Sequence, residues 1–312
     1  MDHESGVERT EMGVIGAIDI GSNSIRLMVM DADGSVMRRE SEVTGLARGV
    51  DASGVLSDDA VTSTLAVLER FADVMVDDGV IRFAAVATSA ARDARNGPEV
   101  MRSIAAVLGR PPSIIDGEDE ALLAFSGATT GAGRIGRQVV VDIGGGSTEV
   151  VEGEIDVTWS HSYDIGSVRL TDRSLPDRPA SAPQLATAAA EVDRVLSEPP
   201  IRIRAEEVIG VAGTFTSLAA MHLGLVRYDP DMVHGATLTR GDIDALVGDL
   251  AALTVSETAE IPSLEPRRAP VILAGTVVAQ RVMEALGAES VLVSEYDLLD
   301  GLAARVAALA QD

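Results

Sequence analysis

Residues 139–150 read VVVDIGGGSTEV, and residues 14–27 read VIGAIDIGSNSIRL. Each is an apolar run that ends in Asp-Ile-Gly, breaks into small and hydroxyl-bearing residues, and then resumes as a second apolar run. Apolar segments punctuated by glycine and serine read as strand, tight turn, strand. One such hairpin is ordinary. Two of them, placed at the start of two successive stretches of chain, predict a duplication, with the two turns at matching places in two lobes.

Working outward from these turns, strands Val14–Asp19 and Ile25–Met30 are followed by the turn DADG and a loop rich in Gly and Asp. Ser57 then caps a helix whose apolar positions Val61, Leu65, Leu68, Ala72 and Met75 recur at helical spacing. RFAAVATSAARDA is a buried strand running into a polar turn. Pro98 opens a helix and Gly109 closes it, PSIID is a short strand, and GEDEALLAFSGA begins a helix with a burst of carboxylates. At Gln138 the pattern restarts: strand, glycine-rich turn, strand. TDRSLPDRPASAP is the most loop-like segment. Helix Ala182–Leu196, strand Val208–Ala212, helices from Gly241 and after Pro270, strand SVLVS and an alanine-rich helix from Asp297 complete the chain. Strands alternate with helices throughout, which defines an α/β protein of two similar lobes facing each other across a cleft.

The composition excludes several kinds of chemistry. The 312 residues are 46% hydrophobic, include no cysteine, and carry a formal net charge of −24. Disulfides, thiolate metal sites and cysteine nucleophiles are therefore ruled out. So strong an acidic balance disfavours nucleic acid as a partner, because neutralising phosphates takes clustered Lys and Arg. A polyanionic ligand needs local positive potential against the overall field. No apolar run has the length of a membrane span, and residues 1–13 read as a polar, flexible lead-in without the apolar core of a signal peptide. A cytoplasmic location is the expectation. The four histidines (3, 161, 222 and 234) lack metal-ligand spacing, Trp159 reads as packing, and neither a Walker A loop nor a GxGxxG opening a βαβ unit is present.

The residues that can carry chemistry cluster at the turns. Gly144, Gly145 and Gly146 clear side-chain obstruction, so that successive backbone N–H groups form an anion-binding concavity with the hydroxyls of Ser147 and Thr148. In the first turn, Gly21 is followed by Ser22, Asn23 and Ser24, with Arg26 as a nearby positive charge. Asp19 and Asp142 end their strands, where carboxylates hold a hydrated Mg²⁺ that also touches phosphate oxygens. Arg92 and Arg95 follow a buried strand and suit forked hydrogen bonds to phosphate. The alternatives are a structural ion pair of Arg92 with Asp93 or a helix end, and a plain surface place for Arg95. Glu118, Asp119 and Glu120 open a helix, where acids also favour the helix dipole. A carboxylate there, beside phosphates and other acids, gains the raised pKa that serves a general base. Glu149 reads either as a metal ligand or base partner, or as an exposed strand residue.

Taken together, DIGSNSIRL, ATSAARDARN, GEDEALLAF, VVDIGGGSTEVV, SYDIGSVRLT, VAGTFTSLAA, APVILAGTVV and LLDGL resemble the exopolyphosphatase and guanosine pentaphosphatase (Ppx/GppA) family, a branch of the sugar kinase, Hsp70 and actin superfamily. They occur in order over nearly the whole chain from Val14. The resemblance implies a two-lobed, duplicated actin-like ATPase fold with the active site in the interlobe cleft. The N-terminal lobe would span 14–130 and the C-terminal lobe 131–312, with the helix over 297–310 packing back on the first lobe. It further implies Mg²⁺-dependent release of terminal orthophosphate from inorganic polyphosphate. Alternatives are hydrolysis of guanosine pentaphosphate (pppGpp), the stringent-response alarmone, and an inactive polyphosphate or alarmone sensor. Glu120 matches the family's water-activating base. Asp142 and Glu149 match the acids around metal and water, Arg92 the arginine on the reacting phosphates, and Gly21–Ser24 and Gly144–Thr148 the phosphate turns. Family members are often dimers, so a homodimer is expected. Two departures stand out. The sequence stops after the core, so a short form without the C-terminal helical region of longer relatives is expected, and VAGTFTS has one glycine where relatives often have two.

Overall fold

The computed structural model describes residues 13–130 and 136–309; the lead-in expected over residues 1–13 lies outside them except for Gly13. Strands β1 (Ile15–Ile20), β2 (Ser24–Met30), β3 (Val36–Val43), β4 (Arg82–Ala87) and β5 (Ser113–Ile114) form a sheet of order β3-β2-β1-β4-β5. Strands β6 (Gln138–Ile143), β7 (Thr148–Gly153), β8 (Val157–Tyr163), β9 (Glu207–Val211), β10 (Thr237–Thr239) and β11 (Ser290–Val293) form a second, of order β10-β11-β9-β6-β7-β8. In the first, β1 lies antiparallel to β2 and parallel to β4; in the second, β6 lies antiparallel to β7 and parallel to β9. The duplication is thus present strand for strand around the two central hairpins.

Local signals explain most elements. Ser57 accepts a hydrogen bond from Ala60 N and starts helix Asp58–Asp77, which buries Ala60, Thr64, Val67, Leu68, Phe71 and Met75. Helix Gly97–Leu108 has Pro98 in its first turn and stops at Gly109, whose φ of 72° is a left-handed conformation that glycine adopts without strain. Helix Ala182–Leu196 begins at a Ser181–Gln184 capping box.

Two segments differ from the sequence reading. The region after the first hairpin holds β3, an edge strand with only Val43 buried, so its residues carry no alternating apolar signal and it persists by pairing with β2. In TDRSLPDRPASAP, Thr171–Ser174 complete helix Ser167–Ser174, and Ala182-Pro183 open the next helix, leaving a shorter connection than expected.

The helix Gly117–Thr130, which the sequence reading assigned to the first lobe, turns Ala121, Phe125 and Ala128 onto Val140, Val151, Ile209 and Val211 of the second sheet. Its other side, through Leu123 and Ala124, meets Leu298, Leu299, Leu302 and Ala303 of the last helix, Leu298–Ala308. That helix in turn packs on Ala17, Met28 and Val86 of the first sheet. The two helices therefore cross between the lobes. Glycines permit their approach: a Cβ at Gly127 would stand 1.8 Å from Asp297 O, and one at Gly301 would stand 2.2 Å from Leu123 O. Among the described residues no helix is long and apolar enough to cross a membrane.

Candidate active site

The hairpin turns β1–β2 and β6–β7 superimpose in pattern. In each, the first glycine donates to the carbonyl three residues on, Gly21 N to Ser24 O and Gly144 N to Ser147 O, both at 3.0 Å. The cross-strand registers also match: Asp19 lies opposite Arg26, and Asp142 opposite Glu149. The same place in the two lobes thus carries an acid–base pair in one and an acid–acid pair in the other.

The turns meet at the floor of a cleft lined by Asp19, Gly21–Ser24, Arg26, Glu120, Asp142, Gly144–Ser147 and, from further along the chain, Ser167, Gly213, Thr214 and Arg268. Gly145 and Gly146 have ordinary backbone angles; their need is space. A Cβ at Gly145 would stand 2.9 Å from Ser22 Cβ, and one at Gly146 would stand 2.2 Å from Ser89 Oγ. The expected role of these glycines was close approach to a ligand. In this structure two of them admit the turn of the opposite lobe, and Ser22 and Ser89 share a 2.8 Å hydroxyl hydrogen bond at that contact.

On the first-lobe side, Arg26 donates to Asp19 Oδ2 from Nε (3.0 Å) and Nη2 (2.7 Å), and from Nη1 to Asp297 Oδ2. Asp297 also caps the last helix through Leu299 N. The positive charge expected to meet phosphate is thus already shared by two carboxylates, while Asp19 Oδ1 is buried without a partner. Burial outweighs Arg26 and leaves the Asp19 carboxyl above its ordinary value.

The second-lobe acids are deeper. Glu149 is 1% exposed, which removes the exposed-strand reading; Ser162 Oγ donates to its Oε1 at 2.7 Å, and its Oε2 has no partner. Burial pushes it up to about 7. Asp142, opposite it, is raised well above its usual range by burial, by the Glu149 charge and by Asp297. Like charges across a strand pair repel, and a buried site amplifies this. Thr148 is buried and its hydroxyl is committed to Ile165 O at 2.6 Å. Neither it nor Glu149 lines the cleft, whereas Asp142, the strand partner of Glu149, does.

Glu120 comes from the mouth of helix Gly117–Thr130. Glu118 N and Asp119 N donate to Asp116 Oδ1, at 3.0 and 2.9 Å, so Asp116 caps the helix. Glu118 is exposed and Asp119 half-buried, whereas Glu120, the next residue round, is 8% exposed and faces the cleft. Its Oε2 has no hydrogen-bond partner and lies 4.0 Å from Arg92 Nη1. Burial, then Glu149, Asp142 and Asp19, raise its pKa well above the usual value, with Arg92 opposing. Arg92 is fixed by a 2.8 Å bond to Ile115 O rather than by Asp93, which pairs with Arg169. Arg95 bonds Ser53 O and serves the local fold.

Sequence reasoning did not single out Ser89, Ser162, Arg268 or Asp297. Ser89 and Ser162 stand inside the quoted motifs ATSAARDARN and, at its first residue, SYDIGSVRLT. Arg268 had no local signal: it reaches the cleft from a connection far along the chain, where its Nη2 stands 3.4 Å from Ser24 Oγ. Gly213 makes room for it, since a Cβ there would lie 2.0 Å from Arg268 Nη1. Beside Gly213, at the place of the second glycine, Ala212 holds φ 65°. Trp159 packs on the second core, and His234 stacks edge-on against Tyr296 and accepts from Glu295 N, both structural roles.

Two matched hairpins, a duplicated α/β plan and a pair of crossing helices define an actin-like fold with its two Gly- and Ser-rich turns set face to face. The relatives narrow this. The Ppx/GppA phosphatase family model matches residues 28–308. Exopolyphosphatase 2 of Mycobacterium tuberculosis is 37% identical over 94% of this chain and 98% of its own. The guanosine-5'-triphosphate,3'-diphosphate pyrophosphatase of Vibrio cholerae is 30% identical over 92% of this chain and 58% of its own. The crystal structure of the Aquifex aeolicus Ppx/GppA family member aligns with a TM-score of 0.78 at 30% identity, covering 96% of this chain and 98% of that one. The chain belongs to the Ppx/GppA phosphatase family.

Proposed function

We propose that this protein is an exopolyphosphatase that releases terminal orthophosphate from inorganic polyphosphate by attack of a water activated by Glu120. The observation that carries this is the Glu120 carboxylate: buried, raised in pKa, with a free oxygen at the cleft where both turns converge and Arg92 4.0 Å away. A raised pKa makes the carboxylate a stronger proton acceptor. The water oxygen bonds to the terminal phosphorus, its proton passes to Glu120, and the bridging P–O bond breaks, with the electron pair leaving on the shortened chain. Backbone N–H groups of Ser22–Ser24 and Gly145–Ser147 are the donors for the phosphate oxygens, Gly21 N and Gly144 N being held within their turns, and Arg92 and Arg268 supply positive charge.

The acids fit a divalent cation such as Mg²⁺. Asp142 and Glu149 oppose each other in a buried strand pair, and Glu149 Oε2 and Asp19 Oδ1 are buried without partners. Among the described residues no three acidic or histidine side chains converge as a complete ligand group, so phosphate oxygens and water would fill the remaining positions. Asp142, with its strand partner Glu149 and with Asp19 across the cleft, would hold the ion. When bound, it supplies charge neutralisation on the substrate.

The test is the Glu120→Gln variant, assayed for phosphate release and for polyphosphate binding. Loss of release with binding retained supports the base; release near the wild-type rate contradicts it.

A further inference from the structure

One end of the cleft is closed by contacts that the reaction does not use. Helix Ser167–Ser174 starts against the second turn, through Ser167 N to Gly144 O and Val168 N to Gly145 O, and projects its side chains across to the first lobe. Arg173 donates from Nε and Nη2 to the two oxygens of Asp51, each at 2.5 Å. Arg169 Nη2 reaches Asp93 Oδ2 at 2.5 Å, its Nη1 stands 3.5 Å from Asp51, and its Nε holds Gly146 O at 2.9 Å. Asp172 accepts from Gly49 N at 2.8 Å. Every one of these first-lobe partners lies in the short helices Val50–Ser53 and Ser89–Asp93 or next to them.

Behind this clasp is a chamber of about 220 Å³ walled by Asp51, Asp93, Asp172 and Arg169. Ser22, Ser89 and Gly146 line both this chamber and the catalytic cleft, and they are the residues that touch where the two turns meet. They form a partition. Three carboxylates, Asp51, Asp93 and Asp172, against the guanidiniums of Arg169 and Arg173 leave the chamber beyond it net negative and a poor place for a phosphate chain. The opposite end differs. A larger chamber of about 590 Å³ shares Arg26, Ala212, Gly213 and Arg268 with the cleft, with no partition of touching turns between them.

We propose that the Asp51–Arg173 and Asp93–Arg169 clasp holds the two turns in contact at Ser22, Ser89 and Gly146 and so makes the cleft a dead end, so that only the terminus of a phosphate chain reaches the site and Asp51 and Asp93 are specificity residues against internal phosphates. This rests on the polyphosphatase reading for its substrate. A chain entering from the Arg268 end stops at the partition, and its last phosphate lies between the turns. A chain bearing a bulky group at each end has no terminus to offer and finds no exit through which to thread.

In proteins that all carry Glu120→Gln, so that the free-ended chain is not consumed and wild type refers to the clasp residues, the experiment compares binding, by calorimetry with Mg²⁺, of polyphosphate of one length in two forms: with free ends, and with both terminal phosphates esterified by a bulky alcohol. The wild type binds the free-ended chain at least tenfold more tightly than the capped one. In the Asp51→Asn/Asp93→Asn double variant the capped chain gains affinity and the ratio narrows towards one. Asp244→Asn, which removes an exposed charge on helix Arg240–Ala252, leaves the ratio unchanged and controls for net charge. If the double variant does not fold, Arg173→Gln opens the same clasp from the other lobe and carries the same expectation. Equal binding of both forms by the wild type overturns the proposal. So does a folded double variant that discriminates as the wild type does. The ratio is read from binding alone, so a failure of hydrolysis counts against the polyphosphatase reading and leaves this one measurable.

Discussion

Replacing Glu149 by glutamine should stabilise the metal-free protein, by an amount that grows as pH rises from about 4.5 to about 7 and then levels off. The carboxyl is fully buried opposite Asp142, with Oε2 unpartnered, and burial moves its pKa from an ordinary 4.5 to about 7. The folded state therefore holds a proton that the unfolded chain releases about two and a half pH units earlier. Between those two values the unfolded state binds fewer protons, so stability falls as pH rises through the window. Each pH unit is worth about 1.4 kcal/mol, so the ionised group costs about 3 kcal/mol at pH 8 and less than about 1 kcal/mol at pH 5. Glutamine keeps the oxygen that accepts from Ser162 Oγ and carries no charge. Its amide also donates towards the neighbouring acids where the carboxylate repelled them. Urea unfolding in the presence of a chelator, at pH 5 and pH 8, measures the difference. The variant gains about 2 to 3 kcal/mol over the wild type at pH 8 and about 1 or less at pH 5. An equal loss of stability at both pH values would refute the reasoning, because it would mean that the glutamate is a satisfied structural acid.

Three further outcomes follow from particular contacts. Arg92→Ala removes the bond to Ile115 O and the charge beside Glu120, so kcat/KM falls about 100-fold or more while stability drops by about 1 kcal/mol. Its acid limb moves to higher pH, since Arg92 holds the Glu120 pKa down; an unfolded variant would assign Arg92 to structure instead. Ala212→Gly relieves a left-handed alanine and stabilises by about 0.5 to 1 kcal/mol, after allowance for the freer unfolded chain, and a loss of stability in urea would count against strain at that residue. Gly127→Ala drives a methyl into the Asp297 carbonyl between the crossing helices and lowers stability by about 3 kcal/mol; a thermal midpoint equal to the wild type would show that the two helices do not pack as closely as described.

The hairpins were legible because their chemistry is local: apolar runs, an Asp at the strand end, and a turn made of Gly and Ser. Caps such as Ser57, Pro98 and Gly109 made helix boundaries legible for the same reason. Strand β3 was not, because an exposed edge strand is held by its neighbour rather than by its own pattern. The crossing of helix Gly117–Thr130 onto the second sheet is tertiary, and in the sequence it shows only as two glycines at the contact, Gly127 and Gly301; the return of the last helix to the first sheet was an expectation of the family resemblance, with no signal in its own residues. At the site, residue types were readable and commitments were not. Arg26 is spent on Asp19 and Asp297, Thr148 on a carbonyl, and Gly145 and Gly146 on the opposing turn. Arg268 enters from a loop some 240 residues away from Ser24, a distance no motif spans.

The central claim is tested most directly by phosphate release from purified protein with Mg²⁺, on short polyphosphate, long polyphosphate and guanosine pentaphosphate in parallel, with Glu120→Gln as the blank. The account predicts orthophosphate from polyphosphate, absent in the variant. No release from polyphosphate, with binding still measurable, would contradict it: release from guanosine pentaphosphate alone would mark an alarmone hydrolase, and release from none of them a sensor that kept the site and lost the chemistry.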